Sequence, residues 1–268
     1  MLAIAGCTYK QPTQEQTQKK ENEVTQLTLA TTTSTQDSGL LDVLIPAFEQ
    51  QSKPKVKVKV IAVGTGQALQ MGKDGNADVL LVHSRKSEDE FMQQGYGENA
   101  WDVMYNQFFI VGPANDPAQI SQTKDAAEAF RKIAIKQATF ISRGDDSGTH
   151  KKELSIWEKI NIKPEGAWYL AAGQGMGETL RMAQNKQAYT LVDEATFLTN
   201  KTQLKVLLQG DKQLRNSYGI IRVKSSKKKI AGEQLINYVV GQKGQQLIRE
   251  FGKDKYGKSI FIPNAKRR

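Results

Sequence analysis

The segment at residues 140–150, FISRGDDSGTH, holds several side chains that could act on a ligand. Ser147, His150 and an aspartate are the groups of a catalytic triad, in which histidine activates a serine nucleophile. A triad usually takes its members from separate elements, and Ser147 does not stand in a G-x-S-x-G sequence. A hydrolase using Ser147 and His150 is therefore kept only as an alternative. Anion binding fits better, because Arg143 supplies a cationic fork and a helix start supplies N–H groups.

Hydroxyl groups and glycines recur at the other predicted strand ends. Ligands of open α/β sheets collect at these ends, where loops lead into helices. Each such turn is also explained as a helix cap, but their recurrence at successive strands indicates an oxyanion site. Asp145 and Asp146 are interpreted as capping groups or as acceptors that hold Arg143 in place. The strand ends in question are Thr31–Thr35, Gly64–Gly66, His83–Ser84, Arg143–Thr149, Gly173–Gly177 and Asp193.

The elements that must position these residues alternate along the chain. Residues 26–34, 55–63 and 77–84 are predicted strands, separated by amphipathic helices, and a second series of the same kind follows a long extended segment at residues 101–117. Leu40, Leu41, Leu44, Ile45 and Phe48 share one face of the first helix, and Ile230, Leu235, Val239, Leu247 and Phe251 are expected to pack in the C-terminal region. The pattern predicts an α/β fold of two lobes.

Each lobe is predicted to be a mainly parallel sheet flanked by helices, with the ligand in the cleft between the lobes. Residues 26–112 and 218–268 are assigned to lobe 1, and residues 113–217 to lobe 2. The C-terminal region returns to the first lobe because the segment at 214–223 looks like a second crossing.

Composition limits the classes of function. The chain has 268 residues, a net charge of +10 and two histidines, and a mean hydropathy of −0.53. It contains no apolar run of 18 residues, no metal-binding His or Cys spacing and no nucleotide-binding glycine motif. No metal and no cofactor are predicted. The basic clusters at 224–229 and 266–268 do not alternate with aromatic residues, so a solvated basic surface is favoured over a nucleic-acid site. Adhesion to anionic polymers stays an alternative.

The N-terminal residues suggest a processing site. Ile4–Cys7 resembles a bacterial lipobox, so residues 1–6 are interpreted as the remainder of a signal peptide and Cys7 as the point of lipid attachment. The usual basic segment is missing, so we expect the natural start to lie elsewhere. Residues 7–25 are rich in polar residues and are predicted to be a flexible tether. An ordinary cysteine is the alternative. The prediction is an extracytoplasmic protein anchored to the cell membrane.

Three motifs carry a family resemblance. LATTTSTQDSGLLDVLIPAFE, VIAVGTGQALQMGKDGNADVLLVHS and FISRGDDSGTH together resemble the solute-binding proteins of tungstate ABC transporters, which have a type II periplasmic-binding fold. The resemblance runs from about Gln26 to Phe261. It implies a non-catalytic clamp that binds the tetrahedral tungstate dianion, works as a monomer and delivers the ligand to a permease and its ATPase.

The resemblance also implies which residues bind the ligand. They are Thr33, Ser34 and Thr65 from the first lobe, and Arg143, Ser147, Gly148, Thr149, Met176 and Gly177 from the second. Molybdate has nearly the same size, shape and charge as tungstate, so molybdate or another oxyanion stays open. Glu194 departs from the expected arginine, and we expect its side chain to face solvent.

Overall fold

A computed structural model of the chain describes residues 24–268. The predicted lipobox, the lipid attachment at Cys7 and most of the predicted tether lie outside the described residues. Thr25, which was assigned to the tether, begins the first strand. Within residues 24–268, every helix is too short or too polar to cross a bilayer.

The first part of the chain forms alternating strands and helices. The strands are β1 (Thr25–Thr32), β2 (Val56–Val63) and β3 (Val79–Val82), and the helices are α1 (Thr33–Asp37), α2 (Leu40–Gln51), α3 (Thr65–Lys73) and α4 (Arg85–Gln93). Strand β1 pairs in parallel with β2 on one side and β3 on the other. The predicted apolar face of α2 is buried at all five positions. It packs in one apolar cluster with Leu27, Leu29 and Val79 of the first sheet.

A long strand, β4 (Gly97–Gly112), leads into the second sheet. The elements that follow are α5 (Ala126–Ile135), β5 (Phe140–Ser142), α6 (Gly148–Lys159), β6 (Tyr169–Ala171), α7 (Met176–Asn185), β7 (Tyr189–Asp193), α8 (Glu194–Thr199) and β8 (Lys205–Leu208). Strand β5 pairs in parallel with β6 and β7. An aromatic cluster of Phe130, Phe140 and Trp157 packs between α5, α6 and the sheet.

The chain returns through β9 and ends on the first sheet. The last elements are β9 (Arg215–Val223), α9 (Lys229–Val240), α10 (Gln242–Glu250), α11 (Lys253–Tyr256) and β10 (Ile262–Arg267). Strand β9 is antiparallel to both β3 and β4, and β10 pairs with β4. Leu235 and Val239 are buried as predicted, but Ile230 is 72% exposed. The prediction for Ile230 was wrong because the buried stripe of α9 runs through Ala231, Leu235 and Val239, and Ile230 lies one position off it.

The change of sheet occurs within β4. Gln107 pairs with Arg215 of β9 in the first sheet, whereas Phe108 pairs with Asp193 of β7 in the second. The predicted crossings lay after residue 112 and after residue 217. An extended strand shared by two sheets shows no break in its sequence pattern, so pairing partners are needed to locate the crossing.

Both sheets are mixed, whereas mainly parallel sheets were predicted. The strands joined through helices pair in parallel, but β4 and β9 add antiparallel pairs in the middle of the structure. The reason is topological. A chain that leaves the first sheet and later returns to it runs in opposite directions in its two crossing strands.

Candidate anion-binding site

Four loops meet at a cavity of about 360 Å³ between the two sheets. Each loop follows the carboxyl end of a strand and leads toward a helix: two follow β1 and β2 of the first sheet, and two follow β5 and β6 of the second. The lining residues are Thr33, Gly64, Gly66, Gln67, Arg143, Asp145, Asp146, Gly173, Gln174 and Gly175. The structure therefore brings four of the six predicted strand ends together from both lobes, whereas His83–Ser84 and Asp193 do not line this cavity.

Arg143 is the central charged group of this site. Its residue surface is 3% exposed, and its Nε donates a hydrogen bond to Asp145 Oδ2 at 3.1 Å, with Nη2 donating to the same oxygen. Burial alone would raise the pKa of Asp145, but hydrogen bonds from Ser147 and Arg143 keep this pKa below its ordinary value. The pair is thus ionised at neutral pH, and the guanidinium is held in place before a ligand arrives.

The backbone of the Arg143–Ser147 loop makes this pair possible. Gly144 has a φ of 62° and Asp146 a φ of 57°, so the chain reverses on both sides of Asp145. A Cβ on Gly144 would lie 2.7 Å from Cβ of Ala171, which leaves no space for a side chain. Asp146 takes a different role from Asp145, because its carboxylate pairs with Lys151 at 3.1 Å.

Helix starts surround the cavity. Ser147 caps α6, and its Oγ accepts the His150 N–H at 3.2 Å. The Ser147 N–H, which was predicted to serve the ligand, donates instead to Asp145 Oδ1 at 3.2 Å, so Ser147 shapes the loop. Gly148 and Thr149 occupy the first turn of α6, and Met176 and Gly177 occupy that of α7 after the Gly175 cap. These first turns supply backbone N–H groups that have no partner within their helices.

Four buried hydroxyls, those of Thr65, Ser142, Thr149 and Tyr256, have no hydrogen-bond partner among the described residues. Two of them belong to predicted ligand residues. They are Thr65 Oγ1 and Thr149 Oγ1, on residues that are 0% and 1% exposed. Buried polar atoms are nearly always paired in proteins, because an unpaired one costs about 1–3 kcal/mol. Thr65 lies between two glycines that line the cavity, and Thr149 lies in the first turn of α6. Both were predicted as ligand donors, and a ligand oxygen would give each an acceptor.

The two lobes touch across the cleft at glycines. A Cβ on Gly64 would lie 3.7 Å from the Asp145 carbonyl oxygen, and a Cβ on Gly66 would overlap the Asp146 carboxylate. On the far side of the cleft, Gly148 at the start of α6 lies against the His83 ring, where a Cβ would fall 2.5 Å from Cε1. Glycine therefore permits the approach of the lobes at both places.

His83 has a role that the sequence did not reveal. It is 6% exposed, and its Nδ1–H donates to Asn216 Oδ1 at 2.9 Å. The Asn216 amide NH₂ is occupied by Asn106 and Tyr218, which fixes its oxygen toward His83. The Nε2 atom is then an acceptor for the hydroxyls of Thr32, at 3.2 Å, and Ser34, at 3.4 Å. His83 thus connects the Thr32–Ser34 turn to both the returning strand and the other lobe.

Burial lowers the pKa of His83 to about 4, and the nearby charges of Arg143 and Lys152 add to this effect, whereas the hydrogen bond to Asn216 opposes it. The ring is neutral at neutral pH. A neutral ring suits this position, because a third cation close to Arg143 and Lys152 would oppose the contact between the lobes.

Of the nine predicted ligand residues, Thr33 and Arg143 line this cavity. Gly148 lines a neighbouring cavity beside His83, and the other six line neither of the two. Ser34 is buried beside His83, and the Met176 side chain packs in an apolar cluster of the second lobe, so only its backbone is available to a ligand. Gln67 and Gln174 also line the cavity. Both lie inside the glycine-rich motifs GTGQ and GQGMG, which could have indicated them.

The geometry around Ser147 and His150 differs from that of a triad. His150 Nδ1 accepts the backbone N–H of Asp146 at 3.1 Å, and Ser147 Oγ accepts the backbone N–H of His150. The imidazole is therefore engaged with the loop backbone, and the serine oxygen with a helix N–H.

Glu194 does not face solvent, and that prediction was wrong. The residue is 9% exposed, and its Oε1 accepts a hydrogen bond from Lys258 Nζ at 2.6 Å. Its negative charge is paired with a lysine from the C-terminal region, which packs on the first sheet. A sequence pattern could not predict this, because the two residues are far apart in the chain.

Comparison with known proteins agrees with this geometry. Residues 10–243 match the PBP superfamily domain. The chain is 48% identical to the tungstate-binding protein TupA of Peptoclostridium acidaminophilum over 272 residues, which cover 98% of this chain and 94% of the relative. It belongs to the tungstate-binding protein family.

Solved structures extend the comparison to the fold. A structure described as the tungstate ABC transporter from Geobacter sulfurreducens is 51% identical, with a TM-score of 0.75, and the match covers 84% of this chain and 98% of that one. TupA from Desulfovibrio alaskensis G20 is 39% identical, with a TM-score of 0.76, and covers 90% of this chain and 100% of that one. The predicted family and periplasmic-binding fold are confirmed. This chain is thus a tungstate-binding protein family member with a cleft between two lobes.

Substitution of Gly148 by alanine should open the cleft. Alanine is favourable in a first helical turn, so the fold should persist, but its Cβ would strike the fixed His83 ring. Overpacking costs about 1–3 kcal/mol, which is enough to shift the open population roughly 5- to 150-fold. X-ray scattering should show a larger radius of gyration for Gly148→Ala. The double variant Gly148→Ala/His83→Ala should regain the compact form, and a wild-type radius for the single variant would contradict the contact.

His83 should titrate far below an ordinary histidine. Its pKa is about 4 in the native chain and about 6.5 unfolded, so only the unfolded chain gains this proton between those values. Stability from this group is therefore lost as the pH falls from 6.5 to 4, by roughly 3 kcal/mol in total. NMR titration of the two imidazole rings should show this, with His150→Gln assigning the signals. A His83 midpoint near 6.5 would contradict the buried neutral ring.

Proposed function

We propose that the protein binds tungstate in the cavity and is the solute-binding component of an ABC importer. The observation that carries the proposal is the conjunction of a buried, preoriented Arg143 with the buried hydroxyls of Thr65 and Thr149, which have no partner within residues 24–268. Family membership supports the choice of ligand, because the relatives named above are tungstate-binding proteins.

The donor set suits a tetrahedral dianion. Arg143 supplies charge, the first turns of α3, α6 and α7 supply N–H groups, and Thr65 and Thr149 supply O–H groups. Donors from both lobes reach one ligand only when the lobes are together. Closure also removes water, which strengthens each hydrogen bond to the anion. We propose that Thr33, Ser34, Thr65, Arg143, Gly148, Thr149, Met176 and Gly177 contribute through side chains or backbone, with Ser147 holding the loop.

Transport follows from the same two-lobed arrangement. A ligand that binds both lobes stabilises the closed form, which a permease and its ATPase can distinguish from the empty form. We propose that the lobes are divided at the crossings after Gln107 and before Arg215, where the strand partners change. The protein acts as a monomer in this scheme, and attachment of lipid at Cys7 keeps it outside the cell and close to the membrane.

We propose that binding proceeds without catalysis and without a cofactor. The serine-hydrolase alternative requires the His150 imidazole to activate Ser147. The hydrogen bonds of both residues to the loop backbone speak against this arrangement. Molybdate has the same charge and nearly the same shape as tungstate, and we propose that it competes for the same donors.

Loss of Arg143 should weaken tungstate binding strongly. A charge-assisted hydrogen bond contributes about 1.5–3 kcal/mol, so Arg143→Ala should lower the affinity roughly 10- to 150-fold or more. Isothermal titration calorimetry with tungstate measures this. Arg181→Ala is the matched control, because Arg181 is an exposed arginine of the same lobe that pairs with Glu178. Equal affinity of Arg143→Ala and wild type, or no tungstate binding by the wild type, would refute the proposal.

Replacing the unpartnered hydroxyls by methyl groups should separate binding from stability. Thr65→Val and Thr149→Val each remove a buried oxygen that has no partner in the described part of the chain, so the ligand-free proteins should be as stable as wild type or more stable. Their tungstate affinity should fall about 5-fold or more, because a ligand donor is lost. Urea unfolding and calorimetry measure the two effects.

Thr190→Val is the control for this pair. Thr190 is also buried, but its Oγ1 donates to the Ile141 carbonyl at 2.7 Å. Valine there should lower the free energy of unfolding by about 1 kcal/mol and leave tungstate affinity unchanged. Destabilisation of all three variants with unchanged binding would show that Thr65 and Thr149 are structural.

A further inference from the structure

A basic surface lies at the end of the first lobe that is remote from the cleft. A groove of about 400 Å³ is lined by Thr25 at the start of β1, Pro54 and Val56 at the start of β2, and residues 227–231 and 234 around the start of α9. The four exposed lysines in and beside this groove are Lys53, Lys55, Lys227 and Lys229. We call them and Ile230 the basic end.

The positive charge of the basic end is not neutralised by the described part of the chain. Within residues 24–268, none of its four lysines has a carboxylate within 4.0 Å, whereas Lys57 and Lys228 nearby are paired with Glu49 and Asp78. Glu49 and Asp78 are thus engaged by other lysines. The remaining charge is available to a partner.

The surface is preformed. Asp78 is 8% exposed and holds the loop before α9 by accepting hydrogen bonds from Ser226 Oγ at 2.8 Å and Lys228 Nζ at 3.0 Å. Gln234 Nε2 of α9 donates to the Lys53 carbonyl at 2.6 Å, which fixes the loop before β2 against the helix. The backbone that carries the four lysines is therefore held in place before a partner arrives.

An exposed apolar side chain lies among these charges. Ile230 is 72% exposed and Val24, the first described residue, is 47% exposed. Lysines around exposed aliphatic groups fit the boundary between lipid headgroups and acyl chains. No described residue that lines the groove is aromatic, so the surface offers no platform for stacking bases.

The position of the first described residues favours the same partner. Val24 and Thr25 lie at the basic end, so the residues that lead back to Cys7 join the folded protein there. About 17 residues separate Cys7 from Val24, and they span at most roughly 60 Å. A lipid on Cys7 would keep the basic end near a bilayer, where weak attraction suffices because binding is intramolecular.

We propose that the basic end is a docking surface for anionic lipid headgroups. The cleft is unaffected by this contact, because β1 and β2 run from the basic end at Thr25 and Val56 to the cavity loops after Thr32 and Val63. Strands of this length separate the two surfaces by about 25 Å. The proposal uses the proposed lipid attachment at Cys7 only to explain how a weak contact suffices, and its test needs no lipid on the protein.

Vesicle sedimentation of the unacylated full chain tests the proposal. The protein should bind phosphatidylcholine vesicles that contain phosphatidylglycerol, should not bind pure phosphatidylcholine, and should dissociate at high salt. Each lysine near an anionic surface raises the affinity for vesicles roughly fivefold. The triple variant Lys53→Gln/Lys227→Gln/Lys229→Gln should therefore bind the anionic vesicles on the order of 100-fold more weakly than wild type. The control Lys136→Gln/Lys186→Gln/Lys205→Gln removes the same charge from exposed lysines of the second lobe and should lose only a few-fold.

The contribution of the exposed isoleucine to vesicle binding is tested by a second pair of variants. Ile230→Gln should weaken vesicle binding, whereas Ile135→Gln should not, although both isoleucines are 72% exposed. Equal losses in the two lysine triples, or no binding by wild type, would overturn the proposal. Binding of RNA through the same lysines without vesicle binding would also overturn it. Tungstate calorimetry should give wild-type affinity for the basic-end triple, so a failure here is distinguishable from a failure of the proposed function.

Discussion

The ion pair between Arg143 and Asp145 is the interaction on which the site depends. A guanidinium that is 3% exposed cannot remain without a counter-charge, because an unpaired buried charge costs several kcal/mol. The counter-charge must come from nearby, and the left-handed residues Gly144 and Asp146 turn the loop so that the carboxylate of Asp145, two residues after the arginine, reaches it. The same carboxylate accepts the Ser147 N–H, so the pair also sets the start of α6. The Arg143–Asp145 ion pair, the shape of the loop between residues 143 and 147 and the start of α6 therefore depend on one another.

The sequence predicted the local elements of the site better than the long-range contacts between them. The strand ends, the helices after them and the role of aspartates as acceptors for Arg143 follow from local patterns. His83 and Glu194 do not, because their partners Asn216 and Lys258 are far away in the chain. The crossing inside β4 was also not predictable, since a strand shared by two sheets keeps one extended pattern. Strands β8 and β10 were missed because short edge strands carry little periodicity. Which residues bind the tungstate ion remains a prediction.

Closure of the two lobes depends on small residues and on a neutral ring. Gly64 and Gly66 let the first lobe approach the Asp145–Asp146 turn, and Gly148 lets α6 approach His83. A charged imidazole at that contact would stand near Arg143 and Lys152, and its burial would cost more still. The hydrogen bond to Asn216 leaves Nε2 as an acceptor, so the Thr32 and Ser34 turn is held by a group that brings no charge. The neutral ring therefore adds no positive charge beside Arg143 and Lys152.

The parallel strands of the first lobe divide its two ends by function. Their carboxyl ends carry hydroxyls and helix starts with one arginine from the other lobe, which favours a small dianion enclosed on all sides. Their amino ends carry several exposed lysines that no described carboxylate neutralises, which favours a broad surface of low charge density rather than a small ion. In our proposals both ends attract anions, but only the cleft removes them from water. A net charge of +10 therefore does not specify one partner. We expect the degree of enclosure at each end to decide which anion is bound there, and how strongly salt competes with it.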